Sequence, residues 1–434
     1  MFAALQHRDF RLLWLGLLIS FSGSLMQNAA ILWHVSLLVS PERRALALGT
    51  VGLVRVVPIV AFSMVSGVAA DVVDRRRLML VTQTVMAIFA TVLAVLTFRG
   101  LSVVWPIYAI AAAGSAAGAF DLPARQALIP NLVPREHLAN ALSLNTIMFQ
   151  VAAVCGPAAG GVVIAAFGVG WAYAINAASF LVVIGALLLM SKTAGHEYRA
   201  TYAEAAAATS STAHAVADTP HTRAHASDQP AAAFSLSAAL EGLRFVFRTP
   251  LIRSTMLLDF FATFFSSATA LLPIYAQSIL GVGAHGYGWL YAAPAAGAIV
   301  ASAVMVRAVD LIDYRGAVLA GSVMAYGAAT IAFGLSRNFA LSLVCLAATG
   351  AGDTVSTVLR GLIRQLETPD HLRGRMTGVN MVFFMGGPQL GELEAGLVAN
   401  WLGPVVSVVT GGVGCVVATA WIVNRTPTLL RYRR

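Results

Sequence analysis

Residues 67 to 77 read GVAADVVDRRR, and this charged stretch stands between two long apolar runs. Its two Asp and three consecutive Arg are unusual in a chain that is 58% hydrophobic and only 11% charged. The mean hydropathy of the chain is +0.78, and soluble domains carry roughly 25% charged residues. The composition therefore predicts a polytopic membrane protein, in which the charged stretch marks a place where the chain leaves the bilayer.

Twelve apolar runs of span length follow one another along the chain, separated by turn residues or charge clusters. About 20 apolar residues cross a bilayer as an α-helix, so each run predicts one transmembrane helix. We expect an all-α membrane protein with twelve transmembrane helices in two six-helix pseudo-repeat bundles. The predicted spans are 11–37, 45–70, 78–98, 103–121, 141–167, 171–191, 254–277, 287–306, 316–334, 339–357, 377–399 and 405–424.

The 28 Lys and Arg residues are distributed unevenly over the loops between these spans. One set of alternate loops holds most of them, whereas the other set holds Arg43, Arg44, Arg99 and Arg337. Because basic loops stay in the cytoplasm, this bias places both termini there and the chain in the cytoplasmic (inner) membrane. Topology and anionic lipid headgroups then explain the net charge of +9, and we expect no nucleic-acid partner.

A polar segment divides the chain into two predicted domains. Residues 1–191 are expected to form an N-terminal six-helix bundle, and residues 254–434 a C-terminal one. Residues 192–253 between them begin as a tract rich in Ala, Thr, Ser and His, which predicts a flexible cytoplasmic linker. The linker ends in SLSAALEGLRFVFRTPLIR (235–253), whose leucine spacing predicts an interfacial helix.

The two halves look like copies of one another. Three residues that follow the fourth span recur after the tenth at a constant offset of 235 positions (360 − 125). They are Arg125, Pro134 and Asn145, and then Arg360, Pro369 and Asn380. Matching residues in the same order around equivalent spans predict a duplicated six-helix unit with parallel repeats.

Over nearly its whole length outside the linker, the chain resembles a known family, the major facilitator superfamily. Gly67, Asp71 and Arg75 fit the GxxxDxxxR motif of that family's loop between spans two and three. Asp74 stands where the family usually has Gly. The resemblance implies a gating role, and opposite charges allow Arg75 to pair with a carboxylate such as Asp121. We therefore predict a cytoplasmic latch that holds the outward-open state, with a pure topology signal as the alternative.

A second resemblance lies in the fifth span, where Gly156, Pro157, Gly160 and Gly161 fit the core of a motif associated with the superfamily's proton antiporters. Small residues and an internal proline also permit plain close packing, which remains the alternative. The stretch DLPARQALIPNLVPREHLANALSLN (121–145) resembles the branch of enterobactin-exporter-like and macrolide-efflux-like transporters. That resemblance implies proton-coupled export of amphipathic small molecules such as siderophores or drugs.

Ionisable residues within the apolar runs are candidates for proton coupling or substrate binding. Arg55 lies deep in span two, and Glu392 and Glu394 lie at a matching depth in span eleven. The family architecture implies that these two spans are neighbours. We therefore predict that Arg55 pairs with Glu392, or less favourably with Glu394, as a switch or as a static ion pair.

Two further carboxylates are predicted near the cytoplasmic ends of membrane spans: Asp259 in span seven and Asp353 in span ten. Asp259 is a further candidate for proton coupling. The favoured interpretation for both carboxylates is local pairing with a neighbouring arginine: Arg248, Arg253 or Arg360.

Three functions compete for this chain: a gradient-driven exporter, an importer or facilitator of the same fold, and a membrane-embedded enzyme. No GxxxxGK precedes the single lysine, Lys192, so ATP coupling within the chain is not expected. His196 and Glu197 begin an HExxH motif, but Ala200 occupies the place of its second histidine. We expect no enzyme activity, cofactor or metal, and a monomer whose partners are its substrate, protons and membrane lipids.

Overall fold

The computed structural model describes residues 3–191, 243–369 and 372–433, with only the backbone described at most positions of 63–72 and 373–385. Its long elements are all helices, and the described residues contain no strand. The helices are α1 (Arg8–Leu38), α2 (Arg44–Val72), α3 (Arg75–Phe98), α4 (Trp105–Leu128), α5 (Arg135–Phe167), α6 (Val169–Leu189), α7 (Pro250–Phe265), α8 (Gly283–Ala308), α9 (Arg315–Leu335), α10 (Phe339–Glu367), α11 (Arg373–Leu402), α12 (Pro404–Arg425) and α13 (Pro427–Leu430). Short helical turns extend the seventh span to Ile279.

Eleven of the described helical stretches are long and apolar enough to cross a bilayer, so the chain is a multi-pass membrane protein. The helix α11 spans 30 residues and coincides with the remaining predicted run. Residues 243–248, just before α7, are helical. The predicted linker ends too late, because residues 250–253 belong to α7, and residues 192–242, which include the start of the predicted interfacial helix, lie outside the described residues.

The charged stretch that follows α2 closes the ends of two helices. Asp74 accepts a hydrogen bond from the Arg77 backbone N–H at 2.8 Å and so caps the start of α3. Arg76 donates to three carbonyl oxygens at and just after the end of α6: those of Leu187 at 2.8 Å, Leu188 at 3.3 Å and Ser191 at 3.3 Å. A cation at the carboxyl end of a helix satisfies carbonyls that lack a partner within the helix. These charges therefore have a structural use beyond topology.

Single glycines join two pairs of consecutive helices. Gly168 connects α5 to α6 with φ +90°, and Gly403 connects α11 to α12 with φ +91°. Backbone of this kind is essentially restricted to glycine. The two positions differ by 235 (403 − 168), the offset that the sequence repeat gave. The same turn at the same place in both halves agrees with the predicted duplication.

The helices pack mainly within two groups. In the first, α1 packs against α5 and α6, α2 against α4, and α3 against α4 and α6. In the second, α8 and α9 pack against α10, and α7 and α9 pack against α12. Extensive contacts between the groups are made by α2 with α11 and by α5 with α8. The expected neighbourhood of spans two and eleven is therefore confirmed.

Among the side chains that the structure describes, a buried cluster with members of both groups lies at one end of the molecule. At the end where residues 39–43 join α1 to α2, called the α1–α2 end, one cluster includes Trp33, Tyr173, Tyr287 and Ala399. This cluster contains residues from both groups. At the opposite end, where α2 meets α3, the first group has its own cluster and the second group has another.

The predicted end of span ten, residue 357, is wrong by ten residues because α10 continues to Glu367. The predicted span stopped before Arg360 and Arg364, yet both side chains are buried inside the bundle. Asp353 therefore lies in the middle of α10, and its predicted place near a helix end is corrected. Asp259 likewise lies nine residues (259 − 250) into a helix that begins at Pro250 rather than one turn into it.

Candidate transport site

The contact between α2 and α11 is so close that it requires glycine. A Cβ on Gly49 would lie 2.9 Å from the Cα of Gly396, and a Cβ on Gly52 would lie 2.8 Å from the Cβ of Glu392. Distances below about 3.0 Å force a shift of the neighbour, which is costly where that neighbour is backbone. Small residues thus bring the two groups together along this face.

The glycines of the fifth-span motif serve two contacts. A Cβ on Gly161 would lie 2.7 Å from the Cα of Gly288 on α8, so this residue sits at the junction of the groups. Gly156 and Gly160 face α1, where added Cβ atoms would meet its atoms at 2.4 and 2.9 Å. Pro157 lies inside α5, which runs without interruption from Arg135 to Phe167. All three glycines lie at close contacts between helices in this conformation, as the packing interpretation predicts.

Polar and aromatic contacts add to the closure at the α1–α2 end. The Tyr287 hydroxyl donates to the Ala29 carbonyl at 2.8 Å, and its ring lies 5.1 Å from the Trp33 ring between centroids. The amide of Gln277 donates to the Ser36 hydroxyl at 2.7 Å. Both hydrogen bonds join the first group of helices to the second, so this end is held by specific contacts as well as by apolar packing.

Arg55 and Glu392 lie on the facing helices α2 and α11, and both are buried. The Arg55 guanidinium donates to Asn28 Oδ1 at 3.2 Å, and it forms no ion pair with Glu392 in the described part of the chain. The Glu392 Oε2 atom is buried without a hydrogen-bond partner. The predicted direct pair of Arg55 and Glu392 is thus not formed in this conformation, and the Arg55 guanidinium is hydrogen-bonded to Asn28 instead. Both charged residues nevertheless lie at the contact between α2 and α11.

A buried arginine is shared by two carboxylates in the second group. Arg360 Nη1 lies 3.0 Å from Asp259 Oδ1, and Arg360 Nη2 lies 3.5 Å from Asp353 Oδ1. The first contact is an ion pair whose angles are not those of a hydrogen bond. Nη2 also donates to Thr357 Oγ1 at 2.8 Å. Local pairing of Asp259 and Asp353 with Arg360 is confirmed, whereas Arg248 and Arg253 are not their partners.

The side chains of the predicted latch that are described point to other partners. Arg75 donates to the Ala127 carbonyl at 3.3 Å, near the end of α4. Asp121 accepts from Thr82 Oγ1 at 2.9 Å and from Gln83 Nε2 at 2.8 Å, both on α3. Arg75 and Asp121 are therefore not paired in this conformation.

The remaining members of the predicted sites stay predictions. The backbone of Gly67 and Asp71 belongs to α2, but their side chains lie outside the described residues. Glu394 is half-buried on α11 and is not among the residues that bring α2 and α11 into closest contact.

Arg125 is a buried residue whose environment the sequence did not reveal. Its guanidinium carbon lies 4.2 Å above the Phe21 ring, and its Nη1 atom has no hydrogen-bond partner. Its position on α4 corresponds to Arg360 on α10 through the offset of the repeat. The constant offset was the feature of the sequence that could have predicted the burial of Arg125, because an arginine at equivalent positions of two helices indicates a role inside the bundle rather than in a loop.

Comparison with known proteins places this architecture in a family. A family model described as "Transmembrane secretion effector" matches residues 1–199 and 199–429. The chain is 25% identical over 371 residues to an enterobactin exporter of Escherichia coli O1:K1, covering 86% of this chain and 81% of the exporter. It is 26% identical over 376 residues to the enterobactin exporter of Shigella boydii serotype 18, again covering 86% and 81%.

Solved structures share the fold at low identity. A bacterial homologue of the human lysosomal transporter Spinster, in an inward-facing and unoccupied conformation, gives a TM-score of 0.69 at 14% identity and 98% coverage of both chains. A POT family transporter in complex with 5-aminolevulinic acid gives 0.70 at 11% identity, covering 97% of this chain and 96% of that one. The chain therefore belongs to the transmembrane secretion effector family of the major facilitator superfamily, and it is a transporter rather than an enzyme.

Proposed function

We propose that this chain exports amphipathic small molecules, siderophore-like or drug-like, across the cytoplasmic membrane in exchange for protons. In this proposal twelve transmembrane helices form two six-helix bundles, residues 1–191 and 250–434, joined by a cytoplasmic linker (192–249). Both termini are cytoplasmic, and the transporter works as a monomer.

The observation that carries the proposal is the unequal distribution of the core between the two ends. One apolar cluster joins both groups of helices at the α1–α2 end, and each group keeps a separate cluster at the other end. Two bodies joined at one end can rock about their shared interface and open a path to alternate sides. With the proposed topology, the α1–α2 end faces outward, so this conformation is closed on the outer side.

Export is favoured over other directions by the relatives named above, because both are enterobactin exporters. Proton coupling is supported by Glu392, a buried carboxylate at the α2–α11 contact whose Oε2 atom lacks a hydrogen-bond partner. A carboxylate in such a place gains or loses a proton at a moderate energetic penalty and can bias the contact that it occupies.

The latch of Asp71, Arg75 and Asp121 belongs to the opposite, outward-open conformation in this proposal. Rocking of the two bundles would close the α2–α3 end and change the surroundings of Arg75 and Asp121 there. The contacts that both residues make now, with Ala127 and with α3, are then those of the unlatched state.

The test uses purified protein in oriented proteoliposomes. Efflux of a panel of catecholate siderophores and cationic drugs is measured with and without an imposed pH gradient. Accumulation that runs against the substrate gradient, follows the pH gradient and stops with a protonophore is the expected result. Equilibrative exchange that ignores the pH gradient would instead identify a facilitator, and gradient-driven uptake in the opposite direction would identify an importer.

A further inference from the structure

The second group of helices encloses a cavity of about 140 Å³ between the break after α7 and the helices α8, α9 and α10. A cavity of roughly 150 Å³ accommodates benzene in another protein, so this space admits a small organic group. Its apolar wall includes Leu272, Phe333 and Leu346, and its polar lining consists of hydroxyl groups and the carboxylate of Asp353.

Three hydroxyl groups of this cavity already donate their protons to backbone carbonyls. Thr330 Oγ1 donates to the Tyr326 carbonyl at 3.0 Å, and Thr349 Oγ1 donates to the Leu346 carbonyl at 2.6 Å. The Tyr326 hydroxyl lies 3.4 Å from the Ser266 carbonyl, to which it donates. A hydroxyl has one proton and two lone pairs, so each of these oxygen atoms keeps acceptor capacity for a ligand.

The charged group that lines the cavity is the carboxylate of Asp353. Asp353 shares Arg360 with Asp259, and the shorter contact, 3.0 Å, goes to Asp259. The side chain of Asp353 is 46% exposed, whereas those of Arg360 and Asp259 are 1% and 4% exposed. Two carboxylates thus face one guanidinium, and the accessible carboxylate is the one that lines the cavity. Arg364, the next cation along α10, is buried, donates to Asn380 and is not part of the lining.

We propose that this cavity binds the protonated amine of an amphipathic substrate, with the ammonium group on Asp353 and the carbon atoms against Phe333 and the neighbouring apolar wall. An ammonium group offers only donors, which matches the Asp353 carboxylate and the hydroxyl oxygen atoms of Thr330, Thr349 and Tyr326. The aromatic ring of Tyr326 adds favourable electrostatics for a cation. The inference deepens the transport function proposed above by naming a substrate class and its binding residues.

The experiment measures binding rather than transport, so it stands apart from the efflux test. Purified full-length protein in nanodiscs is titrated with benzylamine and with benzyl alcohol, its uncharged isostere, by ligand-observed NMR. We expect saturable binding of benzylamine and binding of benzyl alcohol weaker by about tenfold or more, because a charge-assisted hydrogen bond is lost. Equal affinity for both probes would overturn the proposal.

Variants assign the binding to the cavity. Asp353→Asn should weaken benzylamine binding by about tenfold, and Thr330→Val, which keeps the shape of the side chain, by a few-fold. Glu367→Gln is the matched control, since Glu367 lies on the same helix outside the cavity, where it accepts from Tyr432. Unchanged affinity in both cavity variants would place the amine elsewhere.

Two further readouts keep the result decisive. Thermal unfolding of each variant shows whether it is folded. If Asp353→Asn is not folded, the affinity of Thr330→Val for benzylamine tests whether the amine binds in the cavity. Titration with NaCl against choline chloride at equal ionic strength tests for a metal cation. Displacement of benzylamine by Na⁺, abolished in Asp353→Asn, would show that the cavity is a sodium site and would overturn the amine assignment.

Discussion

Arg360 is held by two carboxylates that differ in burial, and this difference separates a structural partner from an accessible one. Asp259 is 4% exposed and lies 3.0 Å from the guanidinium, so its charge is almost fully withdrawn from solvent. Asp353 is 46% exposed and lies 3.5 Å away. A buried charge depends on its partner far more than an exposed one does, because no solvent is present to replace that partner.

Replacing Asp259 should therefore destabilise the protein more than the same replacement at Asp353. Asp259→Asn leaves Arg360 buried with a distant, partly solvated counter-charge, and we expect a loss of about 3 kcal/mol in the free energy of unfolding. Asp353→Asn should cost about 1 kcal/mol or less, since its contact is longer and exposed. Thermal unfolding in detergent measures both. Equal shifts of the two midpoints would contradict the unequal sharing.

At this scale the sequence predicted the partners better than it predicted their depth. Local pairing of Asp259 with an arginine followed from the rarity of unpaired charges beside apolar spans, and the structure selects Arg360 from the three arginines that the sequence offered. The position of Asp353 in the middle of α10 did not, because the hydropathy of the run ended before Arg360. The stacking of Arg125 on Phe21 joins α4 to α1, and such a contact depends on tertiary packing that no local pattern records.

Polar side chains near the ends of the helices satisfy backbone groups that lack a partner within the helix. The charged stretch after α2 supplies a cap to α3 through Asp74 and satisfies the end of α6 through Arg76. Helix existence was predictable throughout from apolar runs of span length. The ends of helices that are buried and polar were not predictable, because the composition of a segment does not distinguish a solvated arginine from one that is enclosed by other helices.

The glycine turns at the ends of α5 and α11 give an element-scale prediction. Gly168 and Gly403 have positive φ, and an added Cβ at either would meet nothing within 4 Å. Gly168→Ala and Gly403→Ala should each lower the stability by about 1 to 3 kcal/mol, purely through backbone strain. Gly185→Ala is the control, because Gly185 is helical within α6 and also has open space. Thermal unfolding midpoints compare them, and a neutral result at both turns would exclude strain.

At the scale of the whole molecule, the closed end depends on glycine contacts between the two groups. Gly161→Ala would place a Cβ 2.7 Å from the Gly288 Cα, and backbone cannot give way as a flexible side chain does. We expect the α1–α2 end to open in a larger fraction of molecules. Spin labels at Phe167→Cys and His285→Cys, both exposed positions, report this as a longer and broader distance distribution.

The label experiment needs a background in which the exposed Cys155 is replaced by serine. Gly185→Ala again serves as the control, since its added methyl group meets no neighbour. A distance distribution in Gly161→Ala that matches the parent protein would mean that this contact does not hold the end closed.

The proposed coupling between protons and the closed end involves residues of both groups of helices. Glu392 packs on Gly52 of the opposite group, one helical turn from Arg55, whose guanidinium is bound to Asn28. An ionised Glu392 is attracted to Arg55 and favours contact between α2 and α11, whereas a protonated one is not. Protonation of Glu392 would thus weaken the contact between the two groups of helices at the closed end.

Glu392→Gln copies the protonated carboxyl permanently and should uncouple transport from the proton gradient. We expect efflux driven by a pH gradient to fall by about tenfold or more, because about 1.4 kcal/mol of lost coupling already changes a ratio tenfold. Exchange of labelled for unlabelled substrate, which needs no net proton movement, should persist. Glu394→Gln on the same helix is the control, since its half-buried side chain is not at the glycine contact. If Glu392→Gln efflux keeps the pH dependence of the parent protein, the proton is carried by another residue.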